Sequence, residues 1–267
     1  MYVELRISYL YFQGKNFIMV ISIKNWIGAF VMWALCMGVF SPSIALASDE
    51  DVAKEMATLF RAARGVIAKN QKHINDPLIG DKGLSADVVM EQAKANYKAA
   101  TGHDLVIDLE TKTGQFLQAE VNAIRAVMDE NQDLINEKGK ALKGFLPAIF
   151  AAHVASKTSA ALSGKASIKL TAPKSYVRNR KNRPDKWEHN VIENMFKSSE
   201  WIKNKTFSEV ANVKGKEAFR FILPEYYKEG CLGCHGQPKG ELDITGGKKE
   251  GGVLGELGGA ISVLIYQ

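Results

Sequence analysis

The chain has 267 residues, with 35 Lys and Arg against 29 Asp and Glu, and a formal charge of +6 at neutral pH. Taking away residues 1–47, with Arg6, Lys15 and Lys24 against Glu4, lowers that charge to +4, and no dense basic run with interleaved aromatics stands outside Arg178–Arg183, so nucleic acid is not an expected partner. What remains is long enough to bury one sizeable core. Glycine gathers between Gly230 and Gly259, which makes the end of the chain turn-rich and the front helical.

In chain order, the first element is an export signal. Lys24 precedes an apolar run from Trp26 to Phe40, Ser41 and Pro42 break it, and Ala45 and Ala47 place small residues where a signal peptidase reads. Cleavage after Ala47 would release Ser48 onward; Met19 is an alternative start. The run is shorter than the roughly 20 residues a spanning helix needs. A retained anchor over Phe17–Phe40, with Lys24 snorkelling, is the alternative. Cys36 follows Trp33, Ala34 and Leu35, a poor site for lipoprotein processing.

The next hundred residues are predicted helical, and they contain a repeat. Met56, Leu59, Phe60, Ala63, Ile67 and Ile74 fall at helical spacing. Arg64, Val66, Ile67, Asn70, Gln71, Ile74 and Asn75 recur as Arg125, Val127, Met128, Asn131, Gln132, Ile135 and Asn136, at a constant offset of 61 residues. The paired Asn and Gln could cap partner helices, bind a ligand or simply be solvated. Between the copies, Asp76, Pro77, Gly80, Asp81 and Gly83 mark a loop, Ala86–Ala100 a short helix, and Leu105–Leu109 a strand.

From Lys143 the pattern changes. Phe145–Leu162 reads as an amphipathic helix carrying His153, and Ser167–Thr171 alternates as a strand does. A polar stretch from Arg178 to Glu188 runs into a helix over Trp187–Phe196, and Ala218–Leu223 and Gly259–Tyr266 are two further strands. Helices and strands are segregated, which predicts an α+β fold with an antiparallel sheet.

Between those last two strands lie Cys231, Cys234 and His235, spelling C-x-x-C-H, with the only cysteines after residue 47. The two thiols of such a stretch can add to the vinyl groups of one haem, and the following histidine can ligate its iron. A structural zinc site needs about four Cys and His ligands, and His73, His103, His153 and His189 are scattered. A thioredoxin-like motif belongs between an early strand and helix, whereas this one runs into Gly236, Pro238 and Gly240 near the end of the chain. A plain disulfide, with His235 incidental, is the remaining alternative. Covalent haem attachment in bacteria takes place outside the cytoplasmic membrane, so signal and motif together predict a periplasmic c-type haem protein loaded by haem attachment machinery.

Four ordered blocks carry a resemblance: Arg178, Asn179, Pro184, Asp185, Trp187 and Glu188; Phe219, Arg220, Pro224 and Tyr226; Cys231, Leu232, Cys234, His235, Gly236, Pro238 and Gly240; and Gly258, Gly259, Ala260, Ile261 and Ser262. Together they resemble a bacterial family of single-haem c-type cytochrome domains, formerly a domain of unknown function, with a cyanobacterial member of PAS-like fold. The resemblance, strongest over residues 143–263, implies a PAS-like antiparallel sheet with a long helical N-terminal extension. The expected divisions are 1–47 for the signal peptide or anchor, 48–142 for a helical region with two similar helices, and 143–267 for the haem domain. It also implies one covalent haem c at Cys231 and Cys234, with His235 as the proximal ligand.

The cyanobacterial member uses a cysteine as second axial ligand, and here no third cysteine follows residue 47. His153 is the distal candidate; Met56, Met128 and Met195 read as core, and His73 and His189 as surface. Arg178, Arg180 and Arg183 are candidate partners for the haem propionates, or a solvated basic loop. Tyr226 and Tyr227 could pack on the macrocycle or only line the edge of the core. The expected function is a redox-responsive or sensory haem module working with a periplasmic redox or signalling partner. The alternatives are a gas sensor for NO or CO with an open distal side, and a simple electron-transfer cytochrome. Turnover as an enzyme is not expected, because peroxidase-like chemistry needs a distal acid/base group that nothing in the chain marks.

Overall fold

The computed structural model describes residues 48–267; the expected export segment, Cys36 included, lies outside the described residues. Among the described residues no helix is long and apolar enough to cross a membrane.

Helix α1 (Asp49–Lys69) starts on a capping box, in which the Ser48 hydroxyl accepts from the Asp51 amide and the Asp51 carboxylate accepts from the Ser48 amide, both at 3.2 Å. Its apolar stripe, Met56, Leu59, Phe60, Ala63 and Ile67, is buried. After the short α2 (Gln71–Ile74) come α3 (Ala86–Thr101), α4 (Lys112–Glu130), the short α5 (Gln132–Asn136) and α6 (Pro147–Ala161). The α6 helix opens on Pro147, where the missing amide hydrogen costs nothing.

The repeat seen in the sequence is a structural one, and its Asn and Gln side chains hold its two halves together. Asn70 and Asn131 each donate to the carbonyl four residues back, Val66 and Val127. Gln71 donates to the Phe145 carbonyl at 3.0 Å, and Gln132 donates to the Leu84 carbonyl, also at 3.0 Å. The Asn75 side-chain oxygen accepts from the Lys143 amide at 3.1 Å, and the Asn136 oxygen from the Lys82 amide at 2.9 Å. Leu84 and Phe145, and Lys82 and Lys143, are themselves 61 residues apart. Each copy therefore clasps the loop that follows the other, a reciprocal exchange with pseudo-twofold character. Lys82 and Lys143 are both buried and turn their ammonium groups onto loop carbonyls, Asp76 and Ile79 for one and Lys140 for the other.

The sheet is four-stranded and antiparallel throughout, in the order β1 (Ala166–Thr171), β4 (Leu257–Tyr266), β3 (Lys216–Tyr226), β2 (Phe207–Val213). The chain is thus α+β, as its segregated pattern predicts. Alternate residues face opposite sides. Phe221, Leu223, Ile261, Val263 and Ile265 join the core built by α1, α3, α4 and α6, while Ile222, Leu257 and Ala260 join a smaller cluster with Val191, Ile192 and Phe196. One continuous core therefore spans the helical residues before 143 and the sheet after it.

The second cluster is held by residues from the first two of the four sequence blocks. Helix α7 (Lys186–Asn190) begins on a capping box between Asp185 and Glu188 and passes into a π turn over Val191–Phe196. Buried Arg220 on β3 donates to the Asp185 carboxylate at 2.5 Å and lies 4.2 Å from the Trp187 ring centroid. The segment ahead of α7 runs along the outer edge of β1, where Thr171 donates to the Asn182 carbonyl and Lys169 to the Arg183 carbonyl, both at 3.0 Å, and so covers an open sheet edge.

Three elements differ from expectation. Leu105–Leu109 is not a strand: Leu105 and Ile107 pack on the helical core while Val106 faces out, so the alternation is that of an extended segment with no pairing partner. The helix expected over Trp187–Phe196 is present, but it is α-helical only to Asn190 and continues as a π-helix to Phe196. Strand β2 is additional; it is an edge strand with no fully buried residue, joined to β3 by a two-residue turn at Lys214 and Gly215, both at positive φ.

Candidate functional site

Strand β3 ends at a bulge between Glu225 and Tyr226. Glu225 is gripped there by Arg61 and Arg64 from successive turns of α1, and Arg61 also donates to the Pro224 carbonyl at 2.7 Å. Burial lowers both guanidinium pKa values to about 10, which still leaves them charged. The chain then enters α8 (Glu229–His235), which carries the motif. Cys231 and Cys234 are three residues apart, hence on one helical face, and both thiols are free and partly exposed. The Lys228 amide points at the Cys231 sulfur at 3.5 Å. Burial, with Asp243 adding to it, pushes the Cys234 thiol up, so that cysteine is a neutral thiol at neutral pH.

Beyond α8 the chain folds back beneath the helix. The Gly252 amide donates to the His235 carbonyl at 2.8 Å and Gly251 to Gly236 at 3.1 Å, while Gly240 pairs with Lys249 and Asp243 with Gly247 further out. This return path delivers Glu250 to the motif: its carboxylate lies 2.8 Å from His235 Nδ1. A carboxylate can only accept, so Nδ1 carries the hydrogen, and in the neutral ring it is Nε2 that has a lone pair to offer. Burial would raise the Glu250 pKa, but hydrogen bonds from Arg178 and His235 outweigh it and hold the group below the ordinary carboxylate range.

Arg178 is the hub of this loop. Its guanidinium donates to Glu250 at 2.5 and 3.1 Å, to the Asp243 carboxylate, to the Cys234 carbonyl at 2.6 Å and to the Lys248 carbonyl at 3.1 Å. Asp243 also accepts from the Thr245 amide at 2.7 Å, the Thr245 hydroxyl at 2.6 Å and the Gly247 amide at 3.1 Å. These bonds overcome burial and hold its carboxyl far below the usual range.

An aromatic stack closes the other side. The Tyr227 ring lies nearly parallel to His235 with centroids 5.5 Å apart, and Tyr176 stacks on Tyr227 at 6.1 Å. The Tyr176 hydroxyl donates to Glu256, and that bond pushes the phenol up to about 12. On the loop after α8, Leu242, Ile244 and Leu254 are each more than half exposed and Val253 nearly so, an apolar fringe.

Of the residues expected at the site, Cys231, Cys234, His235 and Arg178 are brought together. Arg178 is there as the anchor of the loop, its donors already taken by two carboxylates and two carbonyls. Arg180 is exposed and makes no ion pair among the described residues. Tyr226 packs with the second core cluster under the Lys203 ammonium, 4.7 Å from its ring, and it is Tyr227 whose ring meets His235. His153 is exposed on α6, which packs on α1, α4 and β1. Glu250, Asp243, Arg61 and Glu225 carry no signal of their own in the sequence, and Arg64 shows there only as a member of the repeat. The donor set suits a group that bonds to two neighbouring thiols and takes one imidazole nitrogen.

No curated protein and no solved structure matches the chain. A family model does match, over residues 45–265, which takes in every element described above except the last residue of β4. The chain belongs to the Tll0287-like family.

Proposed function

We propose that this chain is a periplasmic c-type haem protein, with one haem bonded through Cys231 and Cys234 and ligated by His235, acting as a redox-responsive or sensory module. The observation that carries the reading is the set of two free thiols on one face of α8 with an imidazole whose Nδ1 is committed to Glu250. Zinc would want about four Cys or His ligands, and the motif offers three.

Bound haem would supply a reversible one-electron couple between ferrous and ferric iron, exchanged with a periplasmic one-electron donor or acceptor. The protein's own part is to hold the ligand and shape its surroundings. Glu250 keeps the His235 ring in one tautomer and one orientation, and Arg178 ties that carboxylate to the backbone of α8 through the Cys234 carbonyl. Tyr227 packs against one face of the imidazole, and Leu242, Ile244, Val253 and Leu254 expose apolar surface on the loop after α8.

The test is expression with a haem attachment system, followed by a haem stain on a denaturing gel. Wild type should retain haem, and Cys231→Ala or Cys234→Ala should lose most of the stain; wild type without covalent haem overturns the proposal. Spectra of the reduced protein with and without CO then separate its two forms. Sharp bands unmoved by CO mean a six-coordinate redox module. A prompt CO shift moves the reading to a gas-binding sensor with a labile distal side.

A further inference from the structure

We infer that Glu250 is a positioning residue for the iron ligand His235 and keeps the midpoint potential of the site low, an inference that rests on the haem reading above. Glu250 lies 15 residues beyond His235, and its placement depends on the whole return of the chain from Gly236 to Gly252. Its side chain is 7% exposed, and both oxygens are used, Oε1 by Arg178 and Oε2 by Arg178 and His235. A surface carboxylate that met a histidine by chance would not be fixed from both sides.

The charges behind the imidazole give the direction. Two carboxylates, Glu250 and Asp243, share the single Arg178 guanidinium, so this group carries one net negative charge. A carboxylate accepting from Nδ1–H fixes the ring and raises the basicity of Nε2, the nitrogen that would meet the iron. A stronger donor and a nearby negative charge both favour the more positive ferric state over the ferrous one. Each effect lowers the potential.

Glu250→Gln separates the charge from the hydrogen bond, because a Gln side-chain oxygen can still accept from Nδ1–H. The haem-loaded variant should keep its covalent stain, and its midpoint potential should rise above wild type in a spectroelectrochemical titration. Glu250→Asp, which restores the carboxylate at shorter reach, should fall between the two. Equal potentials in wild type and Glu250→Gln overturn the inference while leaving the haem reading intact; absence of haem from wild type overturns the haem reading itself. Should neither variant take up haem, the reduced, CO-saturated wild type, which is diamagnetic, decides by histidine-selective nitrogen NMR. A His235 Nδ1 proton that is strongly downfield and slow to exchange supports the role, and one in fast exchange with solvent overturns it.

Discussion

Tyr227 fits beside His235 because two glycines leave it room. A side-chain carbon added at Gly252 or at Gly258 would overlap the Tyr227 ring, and neither glycine has the positive φ that would make backbone strain the issue. Gly258→Ala should therefore act through packing alone and cost about 1–3 kcal/mol, the range for overpacking a filled site. Urea denaturation measures it. In a Tyr227→Ala background the added methyl should cost much less, because the ring it meets is gone; losses that simply add would show that the contact is not the cause. The same neighbourhood shows what single residues disclose in advance. C-x-x-C-H is a local code and can be read directly, and Arg178 stands out within a basic run. Glu250 cannot be found that way, since no periodicity connects a histidine at a helix end with a carboxylate 15 residues later; only the return of the loop joins them. Tyr226 and Tyr227 are indistinguishable in sequence, and the bulge at Glu225–Tyr226 helps decide which one faces the motif.

Among the elements, the reciprocal clasp between the two helical copies carries the clearest consequence. Asn75 and Asn136 each satisfy the amide of a buried lysine in the opposite loop. Asn75→Ala or Asn136→Ala leaves that amide without its acceptor, at a cost of about 1–3 kcal/mol. Because the arrangement is reciprocal, the two losses should be alike in urea unfolding, and a loss from one site alone would deny the symmetry. The 61-residue offset is legible because helix faces repeat their polar residues as faithfully as their apolar ones. The distant partners of Gln71, Asn75, Gln132 and Asn136 are not legible, since each lies in the loop after the other copy. Strand β2 is hidden for a related reason: an edge strand with little burial shows no apolar alternation, and only the Lys214–Gly215 turn announces it. The alternation at Leu105–Leu109 misleads in the opposite direction, being real in its burial but lacking a neighbouring strand.

For the molecule as a whole, one core joins the helical layer to the sheet, so a defect deep in either is felt by the entire fold. Glu120 on α4 is such a defect: it is fully buried, and neither carboxylate oxygen has a hydrogen-bond partner. Burial raises its pKa well above the ordinary 4.5. The sign comes from proton counts. Between the unfolded value near 4.5 and the higher folded value, the native state keeps a proton that the unfolded chain has released, so stability falls as pH rises through that window. The slope approaches about 1.4 kcal/mol per pH unit for one proton. Glu120→Leu removes the titrating group and fills the same apolar space, so it should be more stable than wild type at neutral pH, by a margin that shrinks as pH falls toward 4.5. Urea unfolding of both proteins from pH 4 to 8 reads that margin directly, and the subtraction cancels the titration of distant groups common to both. A margin that does not change with pH would mean that Glu120 has the same proton affinity folded and unfolded, and that its burial is relieved by solvent reaching α4.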